Sequence, residues 1–299
     1  MIISPGDRWL AGCLLAALAT AAALSSVNAY WYRYTGIGYF PRECWWLAFV
    51  AVDLAFFGFW ARARAPYASF VAISLAFYAL TAAVMGVLTT AIQYTPFPRV
   101  DPALARWDAA LGWDTVAVLR WVSSRSSVRS LLIYAYNSTE LQLIVAPLVA
   151  ALAHDRRRLR VFLYAVAYSS IAGSLVYYFF PSSGPAGIFD SPDFLPVQRL
   201  THLKFEQVHH FQPVTTLLGG LIAFPSFHVV WSVLATYAAR TRPGIFLALV
   251  ALNVVVLAST ALLGWHYLVD VAAGLVLALS SIAAGAATYR RCDGDLTKS

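Results

Sequence analysis

The sequence is short of charge: only 12% of its 299 residues are Asp, Glu, Lys or Arg, whereas 60% are apolar. Because soluble domains average about 25% charged residues, this composition excludes an ordinary soluble domain. The chain also has only three cysteines, Cys13, Cys44 and Cys292, which are far apart. Their odd number and spacing argue against a disulfide framework and a cysteine metal site. The composition that remains is that of an integral membrane protein.

Acidic residues are scarcer than basic ones, 14 against 21, and the formal net charge is +7. In a soluble chain this excess would suggest nucleic acid as a partner. Here the arginines occur in short groups between apolar segments, which is the pattern that orients membrane proteins in the bilayer. We therefore expect the membrane bilayer as a partner and no nucleic acid. No pattern in the sequence indicates an oligomeric state.

Long apolar segments are what the sequence has in abundance. A bilayer core needs about 20 apolar residues per helix, and eight segments qualify. They lie at 9–29, 43–61, 67–92, 130–153, 160–180, 219–239, 243–264 and 267–288. The predicted fold class is therefore all-α, a polytopic membrane helical bundle of about eight spans in a single domain. The first segment lacks a clear cleavage site, so we expect a retained helix, with a cleaved signal as the alternative.

Four groups of arginines predict which helix ends share a side of the membrane. They are Arg62 and Arg64, then Arg156, Arg157, Arg158 and Arg160, then Arg240 and Arg242, then Arg290 and Arg291. With eight spans all four groups fall on one side, which the positive-inside rule makes cytoplasmic. We expect both termini on that side, in a multi-pass protein of the cell membrane.

Two histidines stand at the ends of apolar segments. His266 and Asp270 lie four residues apart, about one helical turn, so the carboxylate can accept a hydrogen bond from one imidazole nitrogen. The other nitrogen is then oriented and electron-rich. His228 begins another apolar segment. Under the predicted topology both histidines lie on the non-cytoplasmic side, where they can form one site.

Two long connections lie on the same side as the histidines. Residues 93–128 contain DPALARWDAALGWDTVAVLRWV, whose apolar residues recur at helical spacing between charges. This pattern predicts an amphipathic interfacial helix or helix pair, either a structural collar or a rim that guides a lipid. Residues 181–218 are rich in Pro, Gly and Asp and begin with the turn PSSGP. Backbone N–H groups in such a turn can bind an anion.

Polar residues in the second connection and in the spans offer other readings. A metal site is one of them, from His202, His209, His210, Asp190, Asp193 and Glu206. Adjacent histidines do not readily share one ion, and no spacing here matches a known site, so we predict no metal and no cofactor. Asp53 and Glu140 lie inside predicted spans, where ionisable groups are functional candidates by default. They could equally pair with interfacial arginines, and we leave them outside the predicted site.

The histidines and the residues beside them meet the needs of phosphate-ester cleavage without a metal. A nucleophile must attack phosphorus in line, an acid must protonate the leaving oxygen, and donors must hold the other oxygens. His266, oriented by Asp270, suits the nucleophile, and His228 suits the acid. The Ser226 hydroxyl and the backbone N–H groups around Ser226 and Phe227, at the start of a helix, suit the phosphate oxygens.

Three motifs together carry a resemblance to a known family. They are FPSSGP at Phe180 to Pro185, FPSFHVVWS at Phe224 to Ser232 and STALLGWHYLVDVAAG at Ser259 to Gly274, with RVDPALARWDAALGWD at Arg99 to Asp114 as a weaker fourth. In this order and spacing they resemble the type 2 phosphatidic acid phosphatase superfamily, and most closely its inositol phosphorylceramide synthase branch. The implied architecture is a six-helix phosphatase core plus N-terminal helices. We divide the single domain into N-terminal helices over 1–92, the interfacial segment 93–128 and the catalytic core over 129–288.

The resemblance also implies roles for individual residues. His266 is implied as the nucleophile that forms a phosphohistidine, Asp270 as its orienting partner, and His228 as the acid for the leaving alcohol. The broader superfamily binds phosphate with cations in the first motif and with an arginine where this chain has Thr260. Their absence here, shared by the inositol phosphorylceramide branch, weighs against phosphomonoester hydrolysis. The residues expected at the phosphate are Ser226, Phe227, Ser183, Gly184, Thr260, Lys204 and Arg199.

The expected function is transfer of a phospho-headgroup to a lipid alcohol through a phosphohistidine. The lipid partner is then a phospholipid, a lipid phosphate or a ceramide-like alcohol. An alternative is a lipid phosphate phosphatase that hydrolyses phosphatidic acid or polyprenyl diphosphate, because the sequence does not decide whether water or an alcohol resolves the intermediate. A second alternative is a non-enzymatic transporter or channel with a proton relay. It predicts polar residues through several spans and inverted repeats, neither of which the sequence shows.

Overall fold

The computed structural model describes residues 4–34, 42–216, 218–220 and 222–293. Within these ranges the chain forms eleven α-helices and no strand. They are α1 (Pro5–Trp31), α2 (Arg42–Ala61), α3 (Pro66–Ala91), α4 (Asp101–Ala110), α5 (Thr115–Ser123), α6 (Ser126–Leu152), α7 (Arg156–Phe179), α8 (Pro196–His209), α9 (Phe227–Ala238), α10 (Pro243–Leu262) and α11 (Leu268–Cys292). The predicted fold class, an all-α polytopic bundle, is confirmed.

Six of these helices are long and apolar enough to cross a bilayer: α1, α2, α3, α7, α10 and α11. They correspond to six of the eight predicted spans. The fourth predicted span is the 27-residue helix α6, in which Asn137, Glu140 and Gln142 interrupt the apolar run. Glu140 is exposed, as is Asp53 on α2.

The predicted span 219–239 is wrong in its first third. The helix begins only at Phe227 and is 12 residues long, or about 18 Å, against a hydrocarbon core of about 30 Å. Two features prevent an earlier start. Gly219 has a left-handed backbone with φ +72°, and Pro225 cannot occupy a helix interior. The start of α9 therefore lies inside the bundle next to an irregular segment.

The interfacial segment consists of the two short helices α4 and α5, so the prediction of a helix pair there is confirmed. Asp114 caps the second helix by accepting a hydrogen bond from the Ala117 N–H at 3.0 Å, an arrangement typical of a helix N-terminus. Trp107 and Leu111 remain exposed on this pair. Its buried acidic residues, described below, face the rest of the protein.

Helix α7 forms the centre of the bundle and packs against α3, α9 and α11. In a membrane, close packing rather than water exclusion drives helices together, and small residues make it possible. Gly285 on α11 shows this, because a side-chain Cβ there would lie 2.9 Å from the Val161 carbonyl oxygen of α7. Gly173 on α7 likewise makes room for the Phe227 ring of α9.

The arginine-bearing helix ends meet at one end of the bundle. There Arg160 forms a buried ion pair with Asp7 at 2.6 Å, and Arg242 donates to the Leu152 carbonyl at 3.2 Å. Asp293, just after α11, accepts a 2.6 Å hydrogen bond from Tyr164. These contacts bring the ends of α1, α6, α7, α10 and α11 together, and we call this the arginine end.

The opposite end of the bundle carries the two histidines. Its frame includes Asn28 near the end of α1, which accepts a hydrogen bond from Tyr178 of α7 at 3.0 Å and donates to the Tyr94 carbonyl at 3.1 Å. The short helices α4, α5 and α8 and the start of α9 all pack at this end, which we call the histidine end. The two histidines therefore lie at the end of the bundle opposite the arginine groups.

Candidate active site

His266 lies in the tight connection between α10 and α11. The carbonyl of Thr260 accepts hydrogen bonds from the N–H groups of Trp265 and His266, both at 3.0 Å. Gly264 supplies the left-handed residue that this turn needs, with φ +70°. Helix α11 then starts with a capping arrangement in which Asp270 accepts a hydrogen bond from the Tyr267 N–H at 3.0 Å. The turn thus fixes the backbone on both sides of His266.

The imidazole of His266 is oriented through its Nδ1 atom. Nδ1 lies 2.8 Å from the Ala223 carbonyl oxygen and 3.4 Å from Asp270 Oδ2. A carbonyl can only accept, so Nδ1 carries the proton and Nε2 keeps a free lone pair. The imidazole is almost fully buried and the carboxylate completely so. The predicted pair of His266 and Asp270 is in contact, but the shorter bond is to Ala223, which the sequence reasoning missed.

His228 occupies the first turn of α9, beside His266. The two imidazole ring centres are 6.2 Å apart. Tyr136 of α6 stacks on His228 with ring centres 3.8 Å apart, and it also stacks on Trp265 at 5.1 Å. These two aromatic residues hold the histidines side by side. Neither was predicted, and Tyr136 reaches the site only because the tertiary fold brings α6 there.

The start of α9 is joined directly to the first turns of α11. The Ser226 N–H donates to the Asp270 carbonyl at 3.1 Å. Gly274 permits this approach, since a Cβ there would lie only 2.6 Å from the Ser226 carbonyl oxygen. The Ser226 hydroxyl is buried and forms no hydrogen bond with the described residues, and no side chain caps α9. The first N–H groups of this helix are therefore without a side-chain acceptor, as in helix N-termini that bind anions.

A small cavity of about 70 Å³ lies against the two histidines. Its walls come from the FPSSGP turn, α6, α8 and the segments before α9 and α11. They are Tyr136, Ser183, Gly184, Pro185, Ala186, Gln198, Thr201, Gly220, Ile222, Ala223, His228, Gly264, Trp265 and His266. The hydroxyl of Ser183 is buried and has no hydrogen-bond partner among the described residues.

Asp101 of α4 is the anion that the FPSSGP turn binds. Its carboxylate accepts hydrogen bonds from the Ser182 hydroxyl at 2.9 Å, the Ser183 N–H at 3.1 Å and the Gly184 N–H at 3.0 Å, and from the Tyr267 hydroxyl at 3.3 Å. The prediction that this turn offers N–H groups to a substrate anion is therefore wrong for Ser183 and Gly184. Burial raises the pKa of Asp101, while these donors favour its ionised form.

Asp108 is the second buried carboxylate that α4 directs to the site. Its two oxygens accept a hydrogen bond from the Leu268 N–H at 3.0 and 3.1 Å, next to the capping interaction of Asp270. Burial raises the pKa of this carboxyl as well. Asp101 and Asp108 thus attach α4 to the two residues that follow His266, Tyr267 and Leu268. The sequence signal for them was the fourth motif, at Arg99 to Asp114.

Neither cation predicted at the phosphate, Arg199 or Lys204, lines the small cavity. Arg199 donates to the Ser191 carbonyl at 2.6 Å and lines neither cavity of the site. Lys204 donates to the carbonyls of Leu218 and Gly219 and lines the larger cavity described next, with its pKa lowered by burial to about 8. Thr260 is fully buried and bonds back to Leu257 at 2.7 Å. Among the described residues, the walls of the small cavity contain no lysine or arginine.

A larger cavity of about 340 Å³ adjoins the small one, between α3, α7 and α9. His228, Gly220 and Ile222 line both cavities. Phe227, which was expected at the phosphate, lines this larger space instead. In the described part of the chain no three His, Cys, Asp or Glu side chains are grouped closely enough to hold a metal ion.

The structure thus defines an integral membrane helical protein with a paired-histidine site at one end of its bundle. A family model of the PAP2 superfamily matches residues 102–284, more than half of the chain, and the chain belongs to that superfamily. The matched region includes His228, His266 and Asp270. This membership supports an enzyme of the lipid phosphatase and phosphotransferase type. No curated protein and no solved structure matches the chain significantly.

Proposed function

We propose that the protein transfers a phospho-headgroup between lipid alcohols through a phosphohistidine on His266, most like an inositol phosphorylceramide synthase. The observation that supports this most directly is the hydrogen bond of His266 Nδ1 to the Ala223 carbonyl. It leaves the Nε2 lone pair as the nucleophile of a buried imidazole that lines a cavity shared with His228. A nucleophile and a proton donor in one small site are what covalent phosphoryl transfer requires.

In the first step, Nε2 of His266 attacks phosphorus and forms an N–P bond. The bond from phosphorus to the leaving alcohol oxygen breaks, and that oxygen takes a proton from His228. Burial lowers the pKa of His228 to about 3, and the phosphate anion beside it favours the protonated form that this step requires. The positive charge that develops on the His266 ring is stabilised by Asp270 Oδ2, 3.4 Å from Nδ1. The donors proposed for the phosphate oxygens are the hydroxyl of Ser183, a residue in the wall of the small cavity, the buried Ser226 hydroxyl and the first N–H groups of α9.

In the second step, an acceptor alcohol gives its proton to His228 and attacks phosphorus. The N–P bond breaks and His266 returns to its starting state. With water as the acceptor the same step is hydrolysis, which is the competing function. The lining of the small cavity favours transfer, because among the described residues it contains no lysine or arginine. Such walls suit a phosphodiester monoanion better than a phosphomonoester dianion.

The test uses the purified protein in lipid nanodiscs with labelled phosphatidylinositol, phosphatidic acid or polyprenyl diphosphate, each with and without ceramide. Headgroup on ceramide supports transfer, whereas free phosphate alone supports a phosphatase. We expect His266→Ala to abolish turnover and the acid-labile phosphoenzyme, and His228→Ala to lower kcat about 10²- to 10⁴-fold. We also expect full activity in the presence of a chelator. Full activity of His266→Ala, or chelator inactivation reversed by a divalent metal, would contradict the proposal.

A further inference from the structure

The larger cavity differs from the small one in both size and lining. At about 340 Å³ it has several times the volume of the small cavity. Its apolar lining residues are Met85, Ile222, Phe227 and Trp231. Its polar lining residues include Thr89, Gln93, Ser170, Ser174, Tyr177 and Lys204. A membrane bundle has no need of six polar side chains around one internal space, because polar groups there are costly unless they hydrogen-bond.

Tyr177 shows that these polar groups point to a ligand. Its side chain is completely buried, and its hydroxyl has no hydrogen-bond partner among the described residues. Buried hydroxyls in native proteins are nearly always bonded, so an exception calls for an explanation. Ser174, one turn before Tyr177 on the same face of α7, is also buried. Together they offer hydroxyls to a guest between α7 and α9.

His228 connects this cavity to the phosphoryl site, since it lines both. The small cavity has room for little more than a phosphoryl group, given that a water molecule takes about 30 Å³. The larger cavity has His228 in its lining but not His266. A group bound there therefore lies where the alcohol part of the phosphate ester is expected. That group must exchange its hydroxyl proton with His228 in the mechanism above.

We propose that the larger cavity binds the alcohol of the transfer reaction, and that it selects a hydroxyl-rich alcohol over a simple alkyl one. The inference rests on the proposed function and extends it to the alcohol. In the second step the O–H of the bound alcohol gives its proton to His228, its oxygen bonds to phosphorus, and the His266 N–P bond breaks. The hydroxyls of Tyr177 and Ser174 bind the alcohol's other hydroxyls. Phe227 and Trp231 cover its carbon skeleton.

The experiment measures how one phosphoenzyme divides between an alcohol and water. Nanodisc protein turns over whichever labelled donor is active, in the presence of glycerol or 1-butanol at equal concentration. The ratio of the headgroup phosphate ester of glycerol or 1-butanol to the hydrolysis product does not depend on how fast the phosphoenzyme forms. We expect the wild type to prefer glycerol to 1-butanol.

Two variants report on the cavity, with one matched control. Ser174→Leu fills the cavity and is expected to lower the alcohol-to-water ratio at least 10-fold for both alcohols. Tyr177→Phe removes one hydroxyl without changing shape and is expected to lower the preference for glycerol about 5-fold. Ser280→Leu, at an exposed position of α11, introduces the same substitution away from the site and is expected to leave the ratio unchanged.

Failure of this inference is distinguishable from failure of the proposed function. If the wild type transfers the headgroup to ceramide but yields only hydrolysis product with glycerol and with 1-butanol, the proposed function stands and the cavity does not bind the alcohol as proposed. An unchanged ratio and preference in both Ser174→Leu and Tyr177→Phe would overturn it as well. If the wild type forms no phosphohistidine with any donor, the proposed function itself is wrong.

Discussion

At the scale of residues, the buried carboxylate of Asp101 occupies the anion position that the sequence pattern predicted for the substrate. The Ser183 and Gly184 N–H groups of the FPSSGP turn donate hydrogen bonds to Asp101, which also accepts a hydrogen bond from the Tyr267 hydroxyl. One side chain of α4 therefore holds a wall of the small cavity and the residue after His266. Asp101 does not line either cavity itself, and we propose that it serves the reaction by positioning these groups.

Asp101→Asn tests this positioning role. An amide has one acceptor oxygen and a donor NH₂, so it cannot accept from the N–H groups of Ser183 and Gly184 on two different oxygens as the carboxylate does. Removing one partner of a buried hydrogen bond costs about 1–3 kcal/mol. We expect a lower thermal unfolding midpoint and a kcat/KM reduced about 10-fold or more, measured on the active donor in nanodiscs.

The control for this prediction is Asp114→Asn. Asp114 also accepts a backbone hydrogen bond, at the start of α5 and away from the histidines, and asparagine caps helices about as well as aspartate. It is expected to resemble the wild type in both measurements. Equal behaviour of the two variants would show that Asp101 has no special role in the site.

At the scale of helices, the site depends on how closely α9 approaches α11. Helix α9 carries His228, and α11 follows His266, so their contact sets the distance between the two imidazoles. The hydrogen bond from the Ser226 N–H to the Asp270 carbonyl forms because Gly274 has no side chain at the crossing. This resembles the role of small residues in other membrane helix pairs.

Gly274→Ala tests the importance of this helix contact. The new Cβ would lie 2.6 Å from the Ser226 carbonyl and 3.0 Å from Val229 Cβ, which forces the helices apart. We expect kcat to fall at least 10-fold, since small misplacements of catalytic groups are costly. Gly12→Ala on α1 is the matched control, because no atom lies within 4 Å of its added Cβ. A Gly274→Ala variant as active as Gly12→Ala would refute this interpretation.

At the scale of the whole molecule, the bundle separates its basic groups from its site. The arginine end is closed by the buried pair of Arg160 and Asp7 and by the contact of Tyr164 with Asp293. The histidine end holds both imidazoles and both cavities. The positive-inside rule places the arginine end in the cytoplasm, and we therefore propose that the reaction takes place on the non-cytoplasmic face of the cell membrane.

Cysteine labelling in intact cells tests this orientation. In a variant without native cysteines, Gln212→Cys introduces a thiol at an exposed position of the histidine end, and Arg240→Cys introduces one at the arginine end. A membrane-impermeant maleimide is expected to label the first in intact cells and the second only after permeabilisation. The reverse pattern would place the active site in the cytoplasm.

Sequence alone was sufficient for the fold class and for the contact between His266 and Asp270. Apolar runs predict membrane helices because each run must pair its own backbone groups inside the bilayer. A separation of four residues at the start of α11 brings His266 and Asp270 together. The same local logic failed at residues 219–226, where apolar composition predicted helix and Gly219 and Pro225 prevented it.

The tertiary structure decided everything that depends on contacts between distant segments. It assigned the Nδ1 proton of His266 through the Ala223 carbonyl, brought Tyr136 against His228, and gave the FPSSGP turn to Asp101 instead of to the substrate. It also showed that neither Lys204 nor Arg199 lines the small cavity beside His266. Hydrogen-bond partners and cavity walls are set by three-dimensional packing, and residues that are more than 40 positions apart carry no local pattern that reveals their contact.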